Sequence, residues 1–329
     1  HAVIFSLISI SYLILALLKD KKKFWFLSSL FIVFSFFSKQ IPSAYIAFLT
    51  TLIILAYLFI IKKKNNNFFY FFGGGLIGII FFFLLFITNG IPIQNFLTQY
   101  IYYPLTIGEN RNLNLSFDFK SVFLQFKFIY LSFLPSLLAG FFLLKKKSKG
   151  TRNKIDILIL IFIISSILIF IYTQLLTKNQ VLIFFLIPFC LAISHSYVFK
   201  YFNKKLLINF IIIILILTTF KYHLRYNEHR YFMELVDADF KIAVDAKNLD
   251  EKLKGLRWIS PDYISNPIYE LKLLTQVKKE IIEDSSNKII ITDYQILPAI
   301  TKNTNYAPNK WFDSLSVPSK KNKYFEEYK

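Results

Sequence analysis

Long apolar runs, separated by short polar breaks, fill the first two-thirds of the chain. Eight runs stand out, at roughly 2–18, 24–37, 44–61, 68–88, 128–144, 155–173, 181–199 and 206–220. Each comes close to the ~20 residues a helix needs to cross a bilayer core of about 30 Å, so the pattern predicts eight membrane-spanning helices. The run at 24–37 is the shortest and leads into a break at Pro42. Beyond Phe220 the pattern changes. Glu228 to Val244 has helical spacing, with Phe232, Leu235, Val236 and Phe240 on one stripe. Asn266-Pro267 reads as a helix cap followed by proline at the first helical position. Leu271, Leu274, Val277 and Ile281 then continue an apolar face, and Lys288 to Thr292 predicts a short buried strand ending at Asp293. The expected fold class is an α-helical polytopic membrane protein, residues 1–220, with a small C-terminal α/β extracytoplasmic domain, residues 221–329.

The breaks between runs are of two kinds, and they alternate. Lys19–Lys23, Lys62–Asn67, Lys145–Asp156 and Lys200–Lys205 are basic. The breaks at 38–43, 89–127 and 174–180 carry Pro, Gln, Asn and Tyr instead. Cytoplasmic loops of membrane proteins are enriched in Lys and Arg. That rule puts the four basic breaks inside and the other three, with everything after Phe220, outside. The longest outer loop holds a second element. Ile93 to Tyr103 has helical spacing, with Phe96, Leu97, Tyr100 and Ile101 on one face and Asn95, Gln99 and Tyr102 on the other. Such a helix is expected to lie flat in the interface, apolar side down.

Charge confirms the class rather than adding a function. The net charge is +19, which by itself invites nucleic acid. The four basic loops hold 16 Lys and Arg against 2 acids, however, while the rest of the chain holds 23 against 18. The excess therefore sits in membrane-flanking loops, and nucleic acid is not an expected partner. With 39 Phe and 55% hydrophobic residues, a water-soluble fold would be unable to cover its own core. The one cysteine, Cys190, excludes an intramolecular disulfide and a cysteine zinc site. The chain starts at His1 and stops within a polar segment, and it reads as a piece of a longer protein.

Candidate chemistry gathers on the outer loops. Lys39-Gln40 closes one run and Lys178-Asn179-Gln180 stands between two others. The long loop adds Gln99, Tyr103, Glu109 and Arg111. Cations beside amides suit a phosphate-bearing head group: cations for charge, amides for hydroxyls. Lys and Tyr at span ends also serve simply as interface anchors. Glu109 is a candidate general base that can equally pair with Arg111. His195 reads as a packing residue. His223 and His229 are read as surface residues, and Asp237 and Asp239 point apart on a helix. Gly73-Gly74-Gly75 lies inside an apolar run and reads as a helix-packing site rather than a phosphate loop. No cofactor motif is present, and a divalent metal requirement stays open.

Three stretches together resemble the GT-C class of membrane glycosyltransferases, which includes the dolichyl-phosphate-mannose protein mannosyltransferases and the bacterial enzymes that add sugars to lipid A. They are Phe37-Ser38-Lys39-Gln40-Ile41-Pro42, the segment from Gln99-Tyr100 through Tyr103-Pro104 to Gly108-Glu109-Asn110-Arg111, and Leu176-Thr177-Lys178-Asn179-Gln180. The resemblance implies transfer of a sugar from a polyprenyl-phosphate donor to an acceptor lipid, glycan or protein outside a bacterial inner membrane. It implies lipid-phosphate contacts from Lys39, Arg111 and Lys178. Head-group contacts would come from Gln40, Gln99, Tyr103, Asn179 and Gln180. In that class the catalytic acid usually follows the first span on the outer side. Here the first run ends inside, so the acid is expected upstream of His1. Two other readings stand beside this one: a transporter or flippase, which needs polar groups lining a path through the spans, and an O-antigen polymerase or ligase, which relies on arginines in large outer loops.

Overall fold

The computed structural model describes residues 1–61, 66–102, 104–105, 118–145, 150–177, 184–225, 235, 237–286, 288–290, 292, 294 and 296–301. The chain divides into two compact units, His1–Tyr222 and His223–Lys329.

The first unit holds a helix at every predicted run. These are α1 (Ala2–Lys19), α2 (Lys22–Ser38), α3 (Gln40–Ile61), α4 (Phe69–Thr88), α6 (Gln125–Lys145), α7 (Thr151–Thr177), α8 (Leu186–Tyr201) and α9 (Lys205–His223). A short helix, α5 (Ile93–Phe96), continues as a π-turn over Leu97–Tyr102. Among the described residues, six helices are long and apolar enough to cross a membrane: α1, α3, α4, α6 with its lead-in from Lys120, α7 and α9. The other two, α2 and α8, have 17 and 16 residues. Large apolar side chains face outward, with Phe59 80% and Leu206 82% exposed. Leaving such side chains in water would cost about 1.5–3 kcal/mol each. The surface is one made for lipid, and the chain is an α-helical, multi-pass membrane protein.

Packing within this unit follows from small residues and hydroxyls. The helix α2 lies against α1 and α4, and α3 lies against α7. Gly74 presses on the Phe26 carbonyl: a Cβ there would stand 2.1 Å from its oxygen. One turn on, Gly78 meets Val33, where a Cβ would lie at 3.0 Å. This small-xxx-small spacing lets two backbones approach, the device expected where lipid supplies no hydrophobic drive. Hydroxyls tie α1, α2 and α3 together. Ser35 Oγ reaches Ala2 O at 2.7 Å, Ser6 Oγ at 2.7 Å and Ser43 Oγ at 2.6 Å. Lower down, Ser9 Oγ donates to Ser28 O at 2.7 Å. In proteins of this kind such bonds average about 0.6 kcal/mol each. Asp20 and Asn203 make the tight turns after α1 and α8 with φ of 46° and 45°. Both residue types tolerate the left-handed region better than other side chains.

The second unit departs from expectation. The predicted helix over Glu228–Val244 does not continue through its described end. Phe240–Ile242 is a 3-10 turn and Val244–Asp245 is a strand, β1, paired antiparallel with β2 (Arg257–Trp258). Aspartates explain the change. Asp239, Asp245 and Asp250 each accept the amide two residues on, from Lys241, Lys247 and Lys252. These local bonds compete with helix formation. The helix start at Asn266-Pro267 does form: Asn266 Oδ1 caps the Tyr269 amide at 3.1 Å, and α10 runs Pro267–Glu283. Leu271 and Leu274 are buried on it, together with Leu249, Leu253, and Leu297 and Ile300 of α11 (Ile296–Ile300). Val277, expected on the same face, is exposed. The predicted buried strand is also corrected. Residues 288–290 are irregular and Ile289 is 57% exposed, because no neighbouring strand among the described residues pairs with them.

Candidate functional site

The break at 38–43 and the 93–102 segment meet at the corner between α2 and α3. The helix α2 stops at Ser38, Lys39 is extended with φ −168° and ψ 133°, and α3 opens at Gln40. The Ile41-Pro42 peptide that follows is cis. Lys39 is exposed and Gln40 half-buried. Ser43 Oγ reaches the Lys39 carbonyl at 2.8 Å, which links the corner to the buried Ser6–Ser35–Ser43 network.

The loop helix locks onto this corner. Gln40 Nε2 donates to the Tyr100 carbonyl at 2.5 Å. The Tyr100 hydroxyl donates back to the Phe36 carbonyl. Rings fill the space between. Phe37 stacks on Phe82 at 4.1 Å between centroids and on Phe96 at 5.6 Å, and Phe96 stacks on Tyr100 at 5.1 Å. Partial burial pushes the Tyr100 phenol up to about 12, so it is a firm proton donor at any physiological pH.

The predicted two-sided character of this segment is present. Phe96, Leu97, Tyr100 and Ile101 are half-buried, while Asn95, Gln99 and Tyr102 are exposed. What covers the apolar face differs from expectation: the aromatic ends of α2 and α4 take much of the place assigned to lipid. Part of this segment also winds as a π-turn rather than a regular helix. After residues 106–117 the chain is again described at Asp118. There Ser121 donates its amide to Asp118 Oδ1 at 2.6 Å, and that bond, with the Ser121 hydroxyl, draws the carboxyl below its usual range.

Of the candidate contacts, Lys39, Gln40 and Gln99 are therefore placed in one neighbourhood. Gln40 uses one N–H of its amide on the Tyr100 carbonyl, which leaves its second N–H and its oxygen for a ligand. Tyr103, Glu109, Arg111, Lys178, Asn179 and Gln180 lie outside the described residues, as do His229 and Asp293. The segment 174–177, expected in a loop, is the last turn of α7. His195 is half-buried and stacks on Phe199. Asp239 is occupied as a turn cap. Among the described residues no group of three or more His, Cys, Asp or Glu stands ready to hold a metal ion.

Three features escaped the sequence reading. The first is the buried serine network, whose signal was present as hydroxyls recurring in apolar runs at Ser6, Ser28, Ser35 and Ser43. The second lies at the opposite, basic end. Asp156 on α7 is 3% exposed and accepts from Lys200 Nζ at 2.5 Å and from the Tyr201 hydroxyl, while its carbonyl accepts from Tyr197 at 2.8 Å. In the charge count Asp156 was one acid in a basic loop. The third is Gln174, 4% exposed on α7, whose Nε2 has no hydrogen-bond partner among the described residues. Compared with family models, with characterised proteins and with solved structures, the chain finds no match.

Proposed function

We propose that this chain is a membrane glycosyltransferase that moves a sugar from a polyprenyl-phosphate donor to an acceptor lipid, glycan or protein on the extracytoplasmic side. The observation that supports this reading best is the Lys39 corner. An exposed cation stands at the end of the bundle away from the basic loops, on an extended residue clamped by α3, the serine network and the Tyr100 segment. A lipid phosphate at the bilayer surface meets a cation whose backbone is held in place. The leaving phosphate gains negative charge as the glycosidic bond breaks, and a positioned ammonium stabilises that charge without reorganising. Exposed Gln99 supplies an amide on the segment that covers the corner. The acid that activates the acceptor is not assigned to any residue of the chain.

The test is transfer from a polyprenyl-phosphate sugar by the full chain in proteoliposomes. Lys39→Ala is expected to lower transfer by about 100-fold, the loss typical of one charge-stabilising donor, with unchanged membrane insertion. Full activity of that variant removes Lys39 from the role.

A further inference from the structure

A second lipid-facing feature lies on the other half of the bundle. Between α2, α3 and α4 a groove encloses about 530 Å³, lined by Ser29 and Val33, by Thr51, and by Phe72, Gly73 and Gly75 among others. On α4 it runs from Phe71 to Ile79. At 1.5 Å per residue that is about 12 Å, close to the depth of one leaflet's hydrocarbon. We propose that this groove holds one chain of an anionic phospholipid whose head group sits on Lys22 and Lys23.

The stripe on α2 connects the two parts. Lys22, Phe26, Ser29 and Val33 follow one another at steps of four, three and four, so they share one face of the helix. At the head of that stripe, Lys22 Nζ stands over the Tyr70 ring, 5.1 Å from its centre. Tyr70 is the residue before Phe71, where the groove begins. Lys23 lies beside it, over Phe24, and Lys19 and Lys21 flank the same turn. The one acid there, Asp20, accepts the Trp25 indole N–H at 3.1 Å. The mouth of the groove is thus cationic and its length apolar, which is complementary to an anionic head group with its acyl chain. Basic residues near the surface attract anionic lipid.

The glycines separate into two jobs. Gly74 and Gly78 are needed for the contact with α2, whereas Gly73 and Gly75 are not. A Cβ on Gly73 would meet nothing within 4 Å, and one on Gly75 only Ser29 Cβ at 3.9 Å. Side chains at these two positions would fill the groove and leave the helix pair alone. This proposal does not rest on the glycosyltransferase reading.

The experiment is native mass spectrometry of the full chain in mild detergent. The probe is an equal mixture of dioleoyl phosphatidylglycerol and dioleoyl phosphatidylcholine. The wild-type chain is expected to retain one phosphatidylglycerol at about tenfold preference. Lys22→Gln with Lys23→Gln should keep a bound lipid but lose the preference. Gly73→Leu with Gly75→Leu should lose the bound lipid. If that double variant does not fold, Gly73→Leu alone decides, since its Cβ enters open space. Equal retention of both lipids by the wild-type chain overturns the proposal. So does wild-type retention of phosphatidylglycerol by the folded leucine variant.

Discussion

Lys200 Nζ lies 2.5 Å from Asp156 Oδ2, joining the last turn of α8 to the first turns of α7. The two partners are unequal: the Asp156 side chain is 4% exposed and that of Lys200 39%. Removing either one therefore has a different consequence. Without Asp156 the lysine can turn to solvent. Without Lys200 a buried carboxylate keeps, among the described residues, the Tyr201 hydroxyl. Breaking a fully buried pair costs about 3–5 kcal/mol, and the exposure of Lys200 reduces this. Lys200→Met is expected to cost about 2 kcal/mol and Asp156→Asn about 1 kcal/mol. Thermal unfolding of both variants in the same detergent checks the order, and the reverse order contradicts the argument.

The clamp on the Lys39 corner has a pH limit. The Tyr100 phenol is the donor to Phe36, and its neutral form is favoured in the fold by burial. An unfolded tyrosine titrates near 10, this one at about 12. Between those values the unfolded chain holds fewer protons than the folded one, so stability falls with rising pH. The contribution is complete below pH 10 and disappears towards pH 12. A difference titration at the tyrosinate absorbance, wild type minus Tyr100→Phe, is expected to show one phenol with a midpoint near 12. A midpoint near 10 would mean that the phenol is not buried against α2.

Adjacent glycines on α4 give a sharp contrast. Gly74→Ala places a methyl 2.1 Å from the Phe26 carbonyl oxygen, so α2 and α4 must separate. Gly73→Ala meets open space and gains helix propensity worth up to about 1 kcal/mol. Melting temperatures in detergent should fall for the first and hold or rise for the second.

In the second unit, Glu270 is 1% exposed and takes the Trp258 indole N–H on Oε2 at 2.8 Å and the Tyr294 hydroxyl on Oε1 at 2.9 Å. Burial and this carboxylate raise the Tyr294 phenol well above its usual range. Glu270→Gln keeps one acceptor and sets an amide donor against a second donor. It is expected to cost about 1–3 kcal/mol, the range for a buried donor left unsatisfied. Urea unfolding followed by tryptophan fluorescence measures it, and an unchanged midpoint would show that the pair carries no stability.

The eight helices were legible because a span is a local property. A run of Leu, Ile and Phe near 20 residues has no stable option in lipid except a helix that satisfies its own backbone. The alternation of basic and polar breaks was read the same way, one loop at a time. The amphipathic faces of the 93–102 segment and the Asn266-Pro267 start also follow from neighbours in sequence. The backbone from Asp239 to Asp250 did not follow. There the apolar stripe favoured a helix, while three aspartate turns and the pairing of Val244 with Trp258 settled the backbone otherwise. A strand such as the one expected at 288–292 needs a partner strand, and no stretch of sequence announces its partner.

What the sequence determined by itself was the solvent: a multi-pass helical chain with basic and polar loops in alternation. The tertiary structure decided which polar residues meet. Ser6, Ser35 and Ser43 come from three helices, Asp156 and Lys200 stand 44 residues apart, and Gln40 reaches Tyr100 across 60. Apolar runs specify helices through composition over a few turns. A hydrogen bond between helices depends on rotation and register within the bundle, and only packing sets those.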